Sequence, residues 1–123
     1  MEDCSYTIIG CVYDVYNELG PGLLESVYEK AMMIALANKG LSPQCQVPVD
    51  AVYNGIPLGL GFRMDILVNN SIVLELKSVE SIQPIHKKQL LTYLKLADKR
   101  LGLLINFNEN DIKRGITRIV NNF

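Results

Sequence analysis

The segment IVLELKSV, residues 72–79, places the strongest constraint on how this chain can fold. Branched aliphatic residues dominate it, which is typical of a strand buried on both faces of a sheet. Glu75 and Lys77 nevertheless lie two residues apart, so both side chains point to the same side of that sheet. Buried charges are costly unless they are paired or bound to a metal. The fold must therefore provide something on this face that makes two charges tolerable.

The rest of the sequence predicts helices and strands on both sides of this segment. Helical spacing of apolar residues and the stop signals Gly20-Pro21-Gly22 and Lys39-Gly40 define the first two helices. The predicted helices cover residues 5–19, 24–38, 84–98 and 111–121. The predicted strands cover residues 43–52, 58–68, 72–79 and 101–107, with a turn at Asn54-Gly55.

The order of these elements is α-α-β-β-β-α-β-α. It predicts an α/β fold with one mixed four-stranded sheet flanked by helices. The 123 residues, of which 49% are hydrophobic and 20% charged, have the composition of an ordinary soluble globular protein. We therefore expect a single domain over residues 1–123.

The second and third predicted strands bring a second carboxylate to the charged face. If residues 69–71 form the connection, Val68 pairs with Ile72. Asp65 then lies opposite Glu75, on the face that also carries Lys77. The other face of these strands is apolar and carries Ile66, Leu74 and Leu76. A register shift of one residue would separate the two carboxylates, so the prediction depends on the length of the loop.

Two carboxylates side by side repel each other, and an oxygen-preferring divalent cation is the usual remedy. A lysine beside them can orient a water or stabilise charge on a phosphate. The alternative is a cross-strand ladder of ion pairs on a solvated face. Val73 shares the face and the neighbouring strand residues are aliphatic, which favours a chemical site over the ladder.

Asp65 followed on the next strand by Glu75-Leu76-Lys77 resembles the catalytic signature of the PD-(D/E)XK nuclease superfamily. Further segments resemble the GxxExxY family of small prokaryotic proteins within it. These segments are GLLESVY at 22–28, GFRMD at 61–65, PIHKKQLLTYL at 84–94 and LGLLINF at 101–107. The resemblance covers nearly the whole chain, and the motifs are specific only when taken together.

The resemblance implies a restriction-endonuclease-like fold and a nuclease that hydrolyses phosphodiester bonds of nucleic acid with Mg²⁺ or Mn²⁺. It favours DNA over RNA as the substrate, and the sequence leaves this choice open. Asp65 and Glu75 would bind the metal, and the backbone carbonyl of Leu76 would add an oxygen. Lys77 would position the attacking water and stabilise the transition state. Glu25 would hold a second ion or its waters. The alternative for Glu25 is a carboxylate that favours the start of a helix electrostatically.

The residues expected on the substrate side are Tyr28, Arg63, His86, Gln89 and Tyr93. Gln89 and Tyr93 resemble a motif that flanks the active site in RecB-type nuclease domains. Each residue has a structural alternative: a packing tyrosine at 28, a salt bridge at 63 and a half-exposed polar stripe on the third helix. The chain departs from the family at Tyr16, where members often carry His.

The charge balance limits how this chain can contact nucleic acid. Lys and Arg number 12 against 13 Asp and Glu, so the chain lacks the basic character of a non-specific coat protein. Contact with a polyanion must use a local patch or a bound cation. A small, slightly acidic domain offers little surface to grip a duplex. A site that needs a second copy or a protein partner is therefore an alternative, as is a catalytically silent binding or assembly module with the same fold.

The cysteines and the hydropathy pattern indicate the cellular compartment. Cys4, Cys11 and Cys45 form an odd set without CxxC spacing, which favours reduced thiols in a cytoplasmic protein. No apolar run approaches the length of a membrane span. Glu2 and Asp3 argue against a signal peptide.

Overall fold

Three α-helices, one 3₁₀-helix and five strands make up residues 4–122, the part of the chain that the computed structural model describes. The α-helices are α1 (Ser5–Leu19), α2 (Glu25–Asn38) and α3 (Pro84–Ala97), and the 3₁₀-helix covers Ile112–Gly115. The strands are β1 (Pro43–Tyr53), β2 (Ile56–Val68), β3 (Ile72–Lys77), β4 (Leu101–Asn106) and β5 (Ile116–Val120). Glu2 and Asp3 lie outside the described residues. Between residues 4 and 122 no helix is long and apolar enough to span a membrane.

The strands form one mixed sheet in the order β1-β2-β3-β4-β5. β3 and β4 run parallel, and the other neighbouring strands are antiparallel. The parallel pair is connected by α3, as a parallel connection requires a crossover. The predicted α/β fold with a mixed sheet is therefore confirmed.

Helices cover both faces of the sheet. Ile66, Leu74 and Leu76 belong to the apolar cluster beneath α1 and α2, as the sequence predicts. Val73 belongs to the cluster on the other face, where Leu90 and Leu94 of α3 pack. β3 is thus buried on both faces, which explains why its sequence is almost continuously apolar.

Strand β2 changes face at Asp65, which simple alternation does not predict. Met64 packs in the cluster beneath α3, whereas Ile66 packs in the cluster beneath α1 and α2. Strict alternation along β2 would place Met64 and Ile66 on the same face, and the structure places them on opposite faces. The neighbouring strand gives the reason: Gln46 lies between the pairs Cys45–Ile66 and Val47–Met64 and has a φ of 53°. A left-handed residue interrupts the pleat that makes side chains alternate.

The predicted closing helix over residues 111–121 is wrong, because a short 3₁₀-helix and the fifth strand occupy this segment. Asp111 does cap a helical turn, since its Oδ1 accepts from the backbone N–H of Lys113. The turn ends at Gly115, and the next five residues, ITRIV, pair antiparallel with β4. Branched residues fit a pleated strand better than a helix, and the free edge of β4 provides the partner.

Candidate active site

Strands β2 and β3 separate where the two carboxylates lie. Their ladder runs from the pair Val68–Ile72 to the pair Ile66–Leu74. At the next position a carboxylate replaces the backbone acceptor: the backbone N–H of Asp65 donates to Glu75 Oε1 at 3.2 Å. The backbone N–H of Leu76 donates to Asp65 Oδ2 at 2.8 Å. The predicted register is confirmed, and it brings Asp65 and Glu75 together.

Both carboxyl groups lie in surroundings that disfavour their charged form. Glu75 is only 7% exposed. Burial raises its pKa to about 8, with a further contribution from the Asp65 carboxylate, while Lys77 acts in the opposite direction. Burial also raises the pKa of Asp65, although the hydrogen bond from Leu76 opposes this shift. The pair carries electrostatic repulsion that a bound cation would relieve.

Lys77 ends β3 beside this pair. The pKa values of Asp65 and Glu75 are raised overall, and the ammonium of Lys77 opposes this rise, as expected for a cation close to them. Its backbone oxygen accepts from the N–H of Phe107 at 2.9 Å. The strand is therefore anchored by its neighbour β4 at the residue that carries the cation.

The residue after Lys77 is linked to the start of α2. Glu25, the first residue of that helix, accepts from the backbone N–H of Ser78 through Oε2 at 3.3 Å. The hydroxyl of Ser78 donates to the backbone oxygen of Leu23 at 2.7 Å. Glu25 thus reaches the loop that leaves the carboxylate pair, and it also lies where it favours the start of a helix. Both interpretations of this residue fit its position.

A cavity of about 210 Å³ opens between α2 and the strands. It is lined by Glu25, Ser26, Glu29, Gln46, Asp65 and Leu76. Glu25, Asp65 and Leu76 were predicted to share a site, and this cavity brings them together. Glu29 and Gln46 were not predicted.

The two additional residues contact each other, because Gln46 Nε2 donates to Glu29 Oε1 at 2.6 Å. The Glu29 carboxylate also contributes to the raised pKa of Asp65. Glu29 could have been found from its spacing, since it lies one helical turn after Glu25 on the same face. Gln46 gives no such signal, because only the pairing of β1 with β2 places it opposite Asp65.

A buried asparagine orders the loop behind Lys77. Asn106 is fully buried, and its side chain accepts from Val79 N–H at 3.1 Å and donates to the Val79 oxygen at 2.9 Å. It also accepts from the N–H of Asn108 at 3.2 Å. Sequence reasoning missed this residue, although a polar side chain at the end of an aliphatic strand was the available signal.

The donor atoms fit a small oxygen-preferring cation. No group of three or more His, Cys, Asp or Glu side chains within residues 4–122 is arranged as a complete metal-binding cluster. Mg²⁺ does not require one, because it commonly binds through one or two carboxylates and completes its shell with waters and phosphate oxygens. Asp65 and Glu75 supply two such carboxylates, and Leu76 and Glu25 line the adjoining cavity.

Tyr93, which was predicted on the substrate side, lies close enough to Asp65 and Glu75 for their charges to affect the pKa of its hydroxyl. Burial raises the pKa of its hydroxyl, and Glu75 and Asp65 raise it further. Its ring stacks on Phe62 of β2, with 3.8 Å between centroids and 8° between planes. Tyr93 thus connects α3 to the strand that carries Asp65.

The other polar residues predicted on the substrate side differ in their surroundings. Gln89 lies exposed on α3, one turn before Tyr93, and Arg63 lies exposed on β2. His86 accepts from the backbone N–H of Gln83 through Nδ1 at 2.9 Å, within the cap of α3. The contacts of His86 therefore match its structural alternative.

Tyr28 does not fit a substrate-side role. Its side chain is fully buried and stacks on Phe107, with 4.3 Å between ring centroids. The hydroxyl donates to the Gly20 oxygen at 2.6 Å and accepts from the Leu23 N–H at 3.1 Å. Tyr28 therefore holds the turn before α2, and these contacts match its packing alternative.

Tyr16, where family members often carry His, is also engaged in a structural contact. Its hydroxyl donates to the backbone oxygen of Glu109. This bond ties α1 to the segment that follows β4. The residue at this position thus has a role in joining elements of the fold.

Comparison with known protein families agrees with the fold. The model of the PD-(D/E)XK nuclease superfamily matches residues 2–119, which include α2, both carboxylate-bearing strands and Lys77. No curated protein and no solved structure gives a significant match to the chain. The family match agrees with the mixed sheet between helices. The chain belongs to the PD-(D/E)XK nuclease superfamily.

Proposed function

We propose that this protein hydrolyses phosphodiester bonds of nucleic acid, DNA rather than RNA, with Mg²⁺ or Mn²⁺ as the cofactor. The observation that carries the proposal is the proximity of the buried Glu75 carboxyl group and the half-buried Asp65 carboxyl group. Each accepts a hydrogen bond from the backbone of the other strand, and Asp65 lines an open cavity. Membership of a nuclease superfamily supports it. Within that superfamily we assign the chain to the GxxExxY family, on the segments at 22–28, 61–65, 84–94 and 101–107.

Asp65 and Glu75 would hold the metal ion. The support for this role is the electrostatics of the pair, since burial and mutual repulsion disfavour two uncompensated carboxylates. Leu76 would add its backbone oxygen, and Glu25 would hold water molecules of the ion from the start of α2. The ion would supply positive charge for the phosphate and lower the pKa of a bound water.

Lys77 would position the attacking water and stabilise the negative charge that develops on the phosphate. Its ammonium lies close enough to both carboxylates to lower their pKa values. The backbone of Lys77 is fixed by Phe107, and the following residues are fixed by Asn106. A catalytic cation held in this way needs little reorganisation during the reaction, which is the basis of electrostatic catalysis.

Arg63, Gln89 and Tyr93 would contact the nucleic acid around the site. Arg63 and Gln89 are exposed, and Tyr93 of α3 stacks on Phe62 of β2 near the carboxylates. Arg63 suits a phosphate, because its guanidinium can donate to two oxygens at once. A polar side chain and a ring on one helix face suit a nucleotide next to the cleaved bond.

The second candidate is a catalytically silent nucleic-acid-binding or assembly module that retains the nuclease fold. The raised pKa of Glu75 favours it, because a protonated carboxyl group can be accommodated beside Asp65 without a bound ion. The two candidates differ in whether Lys77 takes part in bond cleavage.

The test is a cleavage assay on a mixture of single-stranded and duplex DNA and RNA, with Mg²⁺ or Mn²⁺ and with chelator. We expect metal-dependent cleavage by the wild type and a loss on the order of 100-fold or more in Lys77→Ala. Lys87→Ala, which removes an exposed lysine from α3, is the matched control and should cleave normally. A folded wild type that binds metal but cleaves no substrate would favour the silent module.

A further inference from the structure

The outer half of the β1–β2 hairpin exposes a concentration of apolar side chains. We call residues 51–61 the arm. The exposed apolar residues of the arm are Val52, Tyr53, Ile56, Leu58 and Leu60, each between 52% and 66% exposed. None of them belongs to either apolar cluster of the described structure. The arm therefore extends beyond the part of the sheet that the helices cover.

Both faces of the arm are apolar. Tyr53 pairs with Ile56 across the turn, and the adjacent residue Val52 pairs with Pro57. Because neighbouring strand residues point to opposite faces, these two pairs lie on different sides of the ribbon. A two-stranded ribbon on its own is marginally stable in water and needs a partner surface. Exposed apolar patches of this kind indicate an interaction site.

The lack of charged residues in the arm favours an apolar partner over nucleic acid. The arm has the sequence AVYNGIPLGLG and contains no charged residue. A surface that grips nucleic acid needs lysine or arginine to neutralise phosphates, and the arm has neither. A patch of one charge sign would repel its own copy, whereas an uncharged apolar ribbon is complementary to itself. The arm therefore suits a second copy of this chain better than a polyanion.

The area of the arm is sufficient for a dimer. From their exposed fractions, the five apolar residues offer roughly 600 Å² per copy over the two faces of the arm. Two copies that cover both faces of each arm would bury roughly 1,200 Å², which reaches the range of about 1,200–2,000 Å² for stable interfaces. The contribution of the turn residues Asn54 and Gly55 adds to this. The arms can therefore hold two copies together where the partner covers both faces of each arm.

The outer edge of β1 is unsuitable for adding another strand. The pairing of β1 with β2 is irregular between Val49 and Asp50 and again between Ala51 and Val52. Pro48 lies next to these irregularities and lacks an N–H group. Bulges, prolines and charges are features that prevent strands from pairing edge to edge. The free edge of β2 in the arm is interrupted by Pro57 and by Gly59, which has a φ of 91°. The side-chain faces of the arm therefore remain as the contact surface.

We propose that two copies of this chain associate through the faces of their arms, related by a two-fold axis. A two-fold contact uses the same patch on both copies, which an uncharged apolar ribbon satisfies. The proposal does not rest on nuclease activity, because oligomeric state can be measured without a substrate.

The first experiment measures the molar mass of the full chain by sedimentation over a concentration series. We expect a dimer for the wild type and a monomer for the double variant Ile56→Lys/Leu58→Lys. Both residues are solvent-exposed in the single chain, so circular dichroism should show an unchanged fold. Tyr6→Lys, which replaces an apolar residue that is 89% exposed on α1, is the matched control and should remain dimeric.

The second experiment restores the contact by charge complementation. Ile56→Glu/Leu58→Glu should also be monomeric, and mixing it with the lysine variant should give a mixed dimer, because opposite charges replace the apolar contact. A monomeric wild type would overturn the proposal. A dimer that survives the arm variants but is lost in Ile34→Lys would also overturn it, since Ile34 lines the groove between α1 and α2. Protection of arm amides by added DNA in a monomeric wild type would overturn it in favour of nucleic acid.

Discussion

Glu75 is buried, is repelled by Asp65 and is also a proposed metal ligand. Its side chain is nearly inaccessible and lies against Asp65, and both conditions raise its pKa. Replacing Glu75 with Gln keeps the shape of the side chain and removes one charge. We expect the metal-free protein to become more stable by about 1 kcal/mol, while cleavage disappears. Denaturant unfolding of both proteins in chelator measures this difference.

The opposite result has a definite meaning. If Glu75 serves a structural ion pair with Lys77, its replacement leaves a partly buried ammonium without a partner. The free energy of unfolding of Glu75→Gln would then fall below that of the wild type. Such a fall, in a wild type without nuclease activity, would contradict the catalytic role of this residue.

The raised pKa of Glu75 also predicts how stability depends on pH. In the folded protein its pKa is about 8, against an ordinary value of 4.5. Between these values the folded state binds more protons than the unfolded state, so the free energy of unfolding falls as pH rises. The stabilisation is complete below pH 4.5 and is lost as pH passes 8. Asp65, whose pKa is also raised, acts in the same direction.

The measurement is urea unfolding of the metal-free wild type and Glu75→Gln at several pH values across this window. The variant lacks the titrating group, so its advantage over the wild type should grow with pH, on the order of 1–3 kcal/mol in total. An advantage that stays constant between pH 5 and pH 8 would show that Glu75 keeps the same charge throughout.

At the scale of elements, two glycines should respond to alanine in opposite ways. A Cβ at Gly115, where the 3₁₀-helix meets β5, would clash with the backbone oxygen of Asn106. The backbone must therefore move, and we expect Gly115→Ala to destabilise the protein by about 1–3 kcal/mol. Gly10 lies within α1 with no atom close to its Cβ position. Gly10→Ala should stabilise by about 0.5–1 kcal/mol through helix propensity. Thermal unfolding of both variants checks the pair.

The segment that begins with β5 was not predictable from local sequence, whereas most other elements were. The helices α1, α2 and α3 and the strands β1 to β4 follow from local spacing, caps and turn residues. Residues 116–120 do not, because their state depends on a partner strand that precedes them by about fifteen residues along the chain. Asp111 is a typical helix cap, and it does cap a helical turn. The branched residues that follow form a strand because they pair with the free edge of β4.

At the scale of the whole molecule, sequence separation decides how much of the candidate site could be predicted. Asp65 and Glu75 come together through a connection of three residues, so the strand period and the turn were sufficient. Gln46 reaches the site through the pairing of β1 with β2 and a left-handed backbone conformation. No local pattern specifies that conformation for a glutamine, and therefore no sequence argument placed Gln46 beside Asp65.

The site as a whole should couple metal binding to folding. Asp65 and Glu75 repel each other and lie in a low-dielectric environment, so a divalent cation that binds only the folded site relieves this repulsion. At an ion concentration about 100 times the dissociation constant the gain is about 2.7 kcal/mol, a rise of several degrees in melting temperature. Mn²⁺ and Mg²⁺ should both produce it, and Ca²⁺ tests whether size matters.

Single substitutions test whether the rise in melting temperature comes from metal binding at the carboxylate pair. Asp65→Asn should lose most of the thermal shift, because it removes one of the two carboxylates that contact each other. Asp50→Asn, at the exposed base of the arm and outside the cavity, should retain the full shift. Calorimetric titration checks the same pair by binding heat. A folded wild type without binding at millimolar metal would count against the nuclease and in favour of the silent module, because the carboxylate pair would then be tolerated by protonation instead of by an ion.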